Sequence, residues 1–180
     1  MVKNYRYIIF SLILVYPLLM LQCKHKDERV SKKEFLEAQK TFTKINKVLV
    51  DQDKSLIEGY IKRHNLEGMK ESGTGLYYLV WGDSKDSLVK TGNVVEYSFK
   101  VTLLDGTLCY QTDSENPKKF RVGKGNVESG LEQAVLLMRK GQKGKFILPP
   151  HLAYGLQGDL KMIPPRSIIV YDIEMLNVYH

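Results

Sequence analysis

Few residues in this 180-residue chain have the type and spacing that chemistry needs. Its four histidines, His25, His64, His151 and His180, lie far apart, without the spacing that gathers ligands around a metal. No serine or cysteine stands in a G-x-S-x-G elbow, so no activated nucleophile is recognisable. The stretch "GKGNVESG" (123–130) has the glycines of a phosphate loop but lacks the G-K-[ST] ending, which argues against nucleotide binding. What remains is "LPPHLAYG" (148–155), two prolines, a histidine and a tyrosine directly after the apolar run "GKFIL". Either this is a surface turn, or it is a turn that holds the Tyr154 hydroxyl at the mouth of a pocket. In the second case the chemistry is hydrogen bonding to a ligand, and no metal or cofactor is called for.

The elements around that turn can be read from periodicity. "SKKE" opens a helix with a capping box through Ser31 and Glu34, and Phe35, Ala38, Phe42, Ile45 and Leu49 follow as one apolar stripe. A second helical segment follows, with Asp51 or Asp53 as N-cap, Leu56, Ile57, Tyr60 and Ile61 on one face, and Asn65 near its end. The two segments read as one interrupted helix or as a helical hairpin. The stripe serves either to pack on its own domain or as a homodimer seam.

"KESGTG" (70–75) marks a boundary, after which short strands take over. "LYYLVW" is one. "VVEYSFKVTLL" alternates, with Val95, Tyr97, Phe99, Val101 and Leu103 on one face and Glu96, Ser98, Lys100 and Thr102 on the other. Asp105-Gly106 signals a hairpin turn into "TLCYQT", and Phe120 to Val122 forms another strand. A short helix carries Leu131, Val135 and Met138 at i, i+4 and i+7, with Gly141 as its stop. "GKFIL" and "RSIIVYDIEMLNV" supply the last strands. The expected fold is α+β, about five antiparallel strands wrapped around one short helix, preceded by a helical extension.

Composition fits a globular chain, with 43% apolar and 26% charged residues. The net charge of +7 is scattered among acids rather than gathered into a basic stripe, so nucleic acid is not an expected partner. At the N-terminus Lys3 and Arg6 precede an apolar run from Tyr7 to Leu21 that ends at Cys23. At roughly 15 residues the run is shorter than the ~20 of a spanning helix, and it reads as a secretion leader. A cysteine just behind it resembles the lipidated first residue of bacterial lipoproteins, although Gln22 and Met20 depart from that signal, and an uncleaved signal anchor is the alternative. With Cys23 lipidated, Cys109 has no partner for a disulfide. The expected domains are a leader at 1–22, a linker and helical extension at 23–73 and a folded domain at 74–180. The expected location is the bacterial cell envelope, lipid-anchored and facing the periplasm or the cell surface.

In sequence and order, "VVEYSF", "LLDGT", "VGKGNVESGLEQAVLLMRKGQKGKFILPPHLAYG", "IPP" and "IIVYDIEML" resemble the FK506-binding (FKBP-type) peptidyl-prolyl isomerases over about residues 74 to 178. With the leader and extension, the whole is similar to secreted FKBP-type lipoproteins, the gliding-motility members among them. The resemblance implies rotamase activity on proline-containing segments of exported proteins, macrolide binding, and a pocket. In that pocket Tyr97, Val127, Leu131, Ile163 and Tyr171 are apolar walls, while the Glu128 backbone N–H and the Tyr154 hydroxyl donate to ligand carbonyls. It also exposes departures. Cys109 and Tyr110 stand where the family has a phenylalanine and an aspartate, Leu131 where many members have tryptophan, and Lys118 where a rim phenylalanine is common. Weakened catalysis is one expectation from these departures; the other is a non-catalytic chaperone or envelope assembly factor that uses the same cleft.

Overall fold

The structure is a computed structural model that describes residues 31–179. The leader and Cys23 lie outside the described residues. Its first element, α1 (Lys32–Arg63), is one continuous helix of 32 residues. The capping box forms as expected, with Ser31 N–H donating to Glu34 Oε2 at 2.8 Å and Glu34 N–H donating to Ser31 Oγ at 3.2 Å. The expected interruption at Asp51 and Asp53 does not occur. Aspartate breaks helices by bonding nearby backbone groups, but the Asp53 carboxylate is occupied elsewhere: it accepts from Arg166 Nη2 at 2.6 Å. The helix ends as Asn65 turns to φ +50°, with Leu66 N–H bonded to the Ile61 carbonyl, a left-handed C-terminal cap.

Contacts divide the chain into two units, Met1–Lys44 and Ile45–His180. In the first, Phe35 and Phe42 are 61% and 67% exposed. The second holds the rest of α1 and a seven-stranded sheet rather than five strands: β1 (Lys70–Glu71), β2 (Tyr77–Trp81), β3 (Val94–Leu103), β4 (Leu108–Gln111), β5 (Lys118–Arg121), β6 (Lys143–Leu148) and β7 (Ile169–Tyr179). The order is β1-β2-β6-β7-β3-β4, with β5 also on β3, and every pairing is antiparallel. Between β3 and β4, Gly106 adopts φ +89° and Leu103 N–H closes the hairpin onto the Thr107 carbonyl, as the Asp-Gly signal implied.

Register tells which side chains share a face, because directly paired residues point the same way. Tyr78, Phe146, Tyr171, Val101 and Tyr110 form one such row across β2-β6-β7-β3-β4. Tyr77, Ile147, Val170 and Thr102 form the row on the opposite face. The first face carries the main core under α2 (Ser129–Leu136), with Leu131, Ala134, Val135 and Met138 at 2% exposure or less. Gly130 lets α2 approach this closely, since a Cβ there would meet Leu148 and, at 2.7 Å, the Leu152 carbonyl oxygen. α2 stops at Leu136, five residues before the expected Gly141, which instead turns at φ +79° into β6.

The second face is not bare, and on it the helical extension packs against its own domain, one of the two roles expected for it. Ile57 and Tyr60 of α1 bury against Tyr77, Ile147, Ile168 and Val170. The alternation of β3 is imperfect as well: Ser98 and Thr102, on the face read as polar, are buried too, and Thr102 pairs with Val170 of this second cluster. Register shifts along β3 place one extra residue in each partner strand, Leu176 in β7 opposite Glu96 and Tyr97, and Cys109 in β4 opposite Val101 and Thr102.

Candidate functional site

A cleft of about 450 Å³ opens where β3, β4, β7, the start of α2 and the loop after the Pro150–Leu152 turn converge. Six of the seven residues expected in the pocket line it together: Tyr97, Val127, Glu128, Leu131, Tyr154 and Tyr171. The seventh, Ile163, is 2% exposed and packs in the main core instead. Tyr110 lines the cleft, whereas Cys109 is buried, its Sγ directed to the carbonyls of Thr107 and Met162 at 3.8 and 3.7 Å. Burial pushes the Cys109 thiol above its usual range. Phe99, Lys119, Asn126, Asp159 and Lys161 also line the cleft and were not legible as site residues; Lys118 does too.

The aromatic floor is made by alternation on two paired strands. Tyr97 and Phe99 lie 5.6 Å apart between ring centroids, Phe99 and Tyr171 5.8 Å, and Phe120 stands edge-on to Tyr97 at 5.8 Å. Such arrays favour offset and edge contacts. Burial holds the Tyr97 and Tyr171 hydroxyls far above their usual range, with the neighbouring Glu128 adding to the effect, so both stay protonated donors. Leu131 closes the floor at 2% exposure.

Glu128 starts α2 with an extended backbone (φ −59°, ψ 142°) and turns its carboxyl into the cleft. Tyr171 donates to Glu128 Oε2 at 3.4 Å, and the backbone N–H of Glu128 also supports its own carboxyl. Desolvation outweighs both and raises the carboxyl above the usual glutamate range. Asp159 goes the other way. Burial works against its charge, but the Tyr110 hydroxyl and the amides of Ile163, Lys161 and Met162 hold its carboxyl below the usual range. One cleft therefore holds a carboxyl that is easily protonated and another that stays ionised.

His151, in the turn that aims Tyr154, is exposed and bonds the Thr74 carbonyl at 3.0 Å, away from the cleft. A second cavity of about 470 Å³ lies beside Asp53, Leu56, Leu104 and Arg166. There Arg166 and Asp53 are bonded to each other at 2.6 Å, and Asp105 accepts from the Thr107 amide. Among the described residues no cluster of His, Cys, Asp or Glu could hold a metal ion.

A cleft with an apolar floor and tyrosine donors suits a reaction in which no bond is made or broken. Comparison with known proteins agrees. The family described as FKBP-type peptidyl-prolyl cis-trans isomerase matches residues 85–176. The chain belongs to that family. Among relatives of this isomerase family, Fkbp12 of Drosophila melanogaster is 39% identical over 90 residues, 49% of this chain and 83% of that protein. FkpA of Escherichia coli K12 is 36% identical over 113 residues, 62% of this chain but only 41% of that protein. The crystal structure of Escherichia coli FkpA superposes with a TM-score of 0.63 at 28% identity, covering 98% of this chain and 92% of that one. The isomerase match thus falls on β3 to β7, α2 and the cleft, and the FkpA likeness extends over α1 as well.

Proposed function

We propose that this chain is a membrane-tethered prolyl isomerase that acts on proline-containing segments of exported proteins, with a catalytic rate below that of members that keep the phenylalanine and aspartate on β4. The observation that carries this reading is the cleft itself, in which Tyr97, Leu131, Tyr154 and Tyr171 converge on one apolar, donor-lined space. Rotation about an X-Pro amide meets a barrier of roughly 18 to 20 kcal/mol because the twisted state loses resonance. Twisting also returns charge from the carbonyl oxygen to nitrogen, so a site that excludes water favours the less polar twisted form over the planar one. Donors fixed on the flanking carbonyls then hold the chain in that geometry without reorganisation. Tyr154 has no hydrogen-bond partner among the described residues, which suits it to such a role. The same floor fits a macrolide that presents a proline-like ring.

The leader ending at Cys23 supports a lipid anchor and an envelope location, with residues 1–22 removed and 23–73 linking the anchor to the domain. The isomerase assay on the full chain tests the function. Acceleration of cis-trans relaxation in an X-Pro peptide, reduced several-fold by Tyr154→Phe, is the expected result. Binding of the peptide without any change in rate would refute it.

One observation favours a second reading in which the helix also engages other chains. Phe35, Leu36, Phe42, Ile45, Val48 and Val50 are all 44% exposed or more along one helix. Apolar exposure of that kind marks an interaction surface, either a homodimer seam or a holding surface for unfolded clients. A chaperone or assembly factor of the envelope, such as gliding or secretion machinery, would use it. Suppression of client aggregation by the full chain, lost when Phe35 and Phe42 are replaced by serine, is the expected outcome. Sedimentation separates the dimer from the client surface.

A further inference from the structure

We propose that Tyr110 and Asp159 form a latch that fixes the loop wall of the cleft, which makes Asp159 a positioning residue for proline-peptide binding. The proposal rests on the reading of this cleft as the isomerase site. Both residues of β4 that depart from the family pattern reach the same loop. The Tyr110 hydroxyl donates to Asp159 Oδ2, and the Cys109 thiol is directed at the Met162 carbonyl at 3.7 Å. With its other oxygen Asp159 closes the loop on itself: Oδ1 accepts from Lys161 N–H at 2.9 Å and from Ile163 N–H at 2.8 Å. Asp159 N–H donates in turn to the Ile163 carbonyl at 3.1 Å, and Arg166 N–H closes the loop base on the Gly155 carbonyl at 3.0 Å.

Packing holds this loop at its Ile163 end and not at its tip. Leu156, Leu160 and Met162 are 73%, 86% and 50% exposed, so the apolar tip gains little from burial and the polar bonds must fix it. Its turn is also demanding, since Gly158 sits at φ +70° and a Cβ there would collide with the Ile163 carbonyl oxygen. One carboxylate therefore meets both needs, shaping the turn and tying it to β4. Because the amides and the hydroxyl favour the ionised form, the latch stays closed across the neutral range.

Tyr110, Asp159 and Lys161 line the cleft together with Tyr97 and Leu131. A wall fixed before the peptide arrives spares binding the cost of ordering it. Opening the latch should therefore weaken binding and leave turnover of the bound peptide nearly intact, because the floor is untouched.

The test uses the full chain as wild type, Tyr110→Phe, Asp159→Asn and the double variant. Phenylalanine removes only the hydroxyl, and asparagine keeps an oxygen for the two loop amides. Amide hydrogen exchange at Lys161 and Ile163 should accelerate about tenfold in Tyr110→Phe. In steady-state isomerisation of an X-Pro tetrapeptide, KM should rise about tenfold with kcat within about twofold, and the double variant should match the single ones rather than multiply them. Unchanged exchange in Tyr110→Phe would overturn the latch, as would multiplicative effects or a fall in kcat at constant KM. A wild type that does not accelerate isomerisation would overturn the isomerase reading instead, and the exchange measurement would still decide the latch.

Discussion

The floor and the loop wall of the cleft are held by opposite means. Tyr97, Leu131 and Tyr171 are 4%, 2% and 4% exposed, fixed by strand pairing and by contact with α2. In the same cleft, Tyr110, Asp159 and Lys161 belong to a short edge strand and a loop whose apolar tip faces water. Burial organises the first and hydrogen bonding the second. The difference matters for catalysis, because a packed floor can exclude water while a hydrogen-bonded wall can admit and release a chain. It also sets different penalties for damage to each side.

The largest effect is expected on the floor. Leu131→Ala removes a buried side chain at the meeting point of α2 and the sheet, and such truncations cost about 2 to 5 kcal/mol. Urea denaturation should show that loss, and kcat/KM should fall with it, since floor and core are one structure. A variant of undiminished stability would mean that Leu131 is not the packed base of the cleft. Gly158→Ala strikes the loop wall instead. Forcing a Cβ into a left-handed turn against the Ile163 carbonyl should cost about 1 to 3 kcal/mol of local strain. Proteolysis or exchange confined to residues 156–163, with the global unfolding midpoint nearly unchanged, is the expected signature. If the whole domain loses stability in step, the two sides of the cleft are less independent than their packing implies.

The smallest effect separates the two carboxyls. Glu128 titrates near 4.5 when unfolded and higher in the fold, where desolvation disfavours its charge. The folded state thus binds that proton more tightly, so this group adds stability as pH falls through the window above 4.5 and detracts from it at neutral pH. Glu128→Gln should raise the thermal midpoint at pH 7, with the gain shrinking as pH approaches 4.5. Asp159 has the reverse sign: its carboxyl is held below the usual value, so its contribution is complete above 3.8 and fades only as pH falls below that. Thermal scans of Glu128→Gln between pH 4 and pH 8 should therefore show the gain at neutral pH, whereas Asp159→Asn should speed amide exchange at Lys161 and Ile163 at neutral pH with the global midpoint nearly unchanged. A neutral-pH loss of thermal midpoint in Glu128→Gln would remove the electrostatic contrast.

Sequence legibility follows the same line between the two sides. Tyr97 and Tyr171 stand on alternating strands, and Leu131 stands on an i, i+4, i+7 helix, so periodicity by itself fixes their faces. Motif order then assigns those faces to one pocket. The Tyr110–Asp159 contact spans 49 residues and joins an edge strand to a loop, and no period relates such positions. Asp159 therefore carries no signal of its own in the sequence, while the missing acid on β4 is visible only as an absence. Ile163 shows the limit of motif order, which implies a pocket wall without showing that this side chain is buried in the main core. In α1, Asp53 reads as a cap because the sequence does not show that Arg166, 113 residues away, occupies its carboxylate. Likewise the alternation of β3 does not show that Ser98 and Thr102, on its polar row, are buried.

The central claim is that this cleft lowers the barrier to X-Pro rotation, and relaxation of a cis-enriched X-Pro peptide measures that directly. Uncatalysed relaxation takes tens to hundreds of seconds at about 25 °C. With catalytic amounts of the full chain it should shorten in proportion to enzyme concentration, and Leu131→Ala should largely abolish the effect. Relaxation at the uncatalysed rate with wild-type protein, at concentrations where the peptide is bound, would contradict the account.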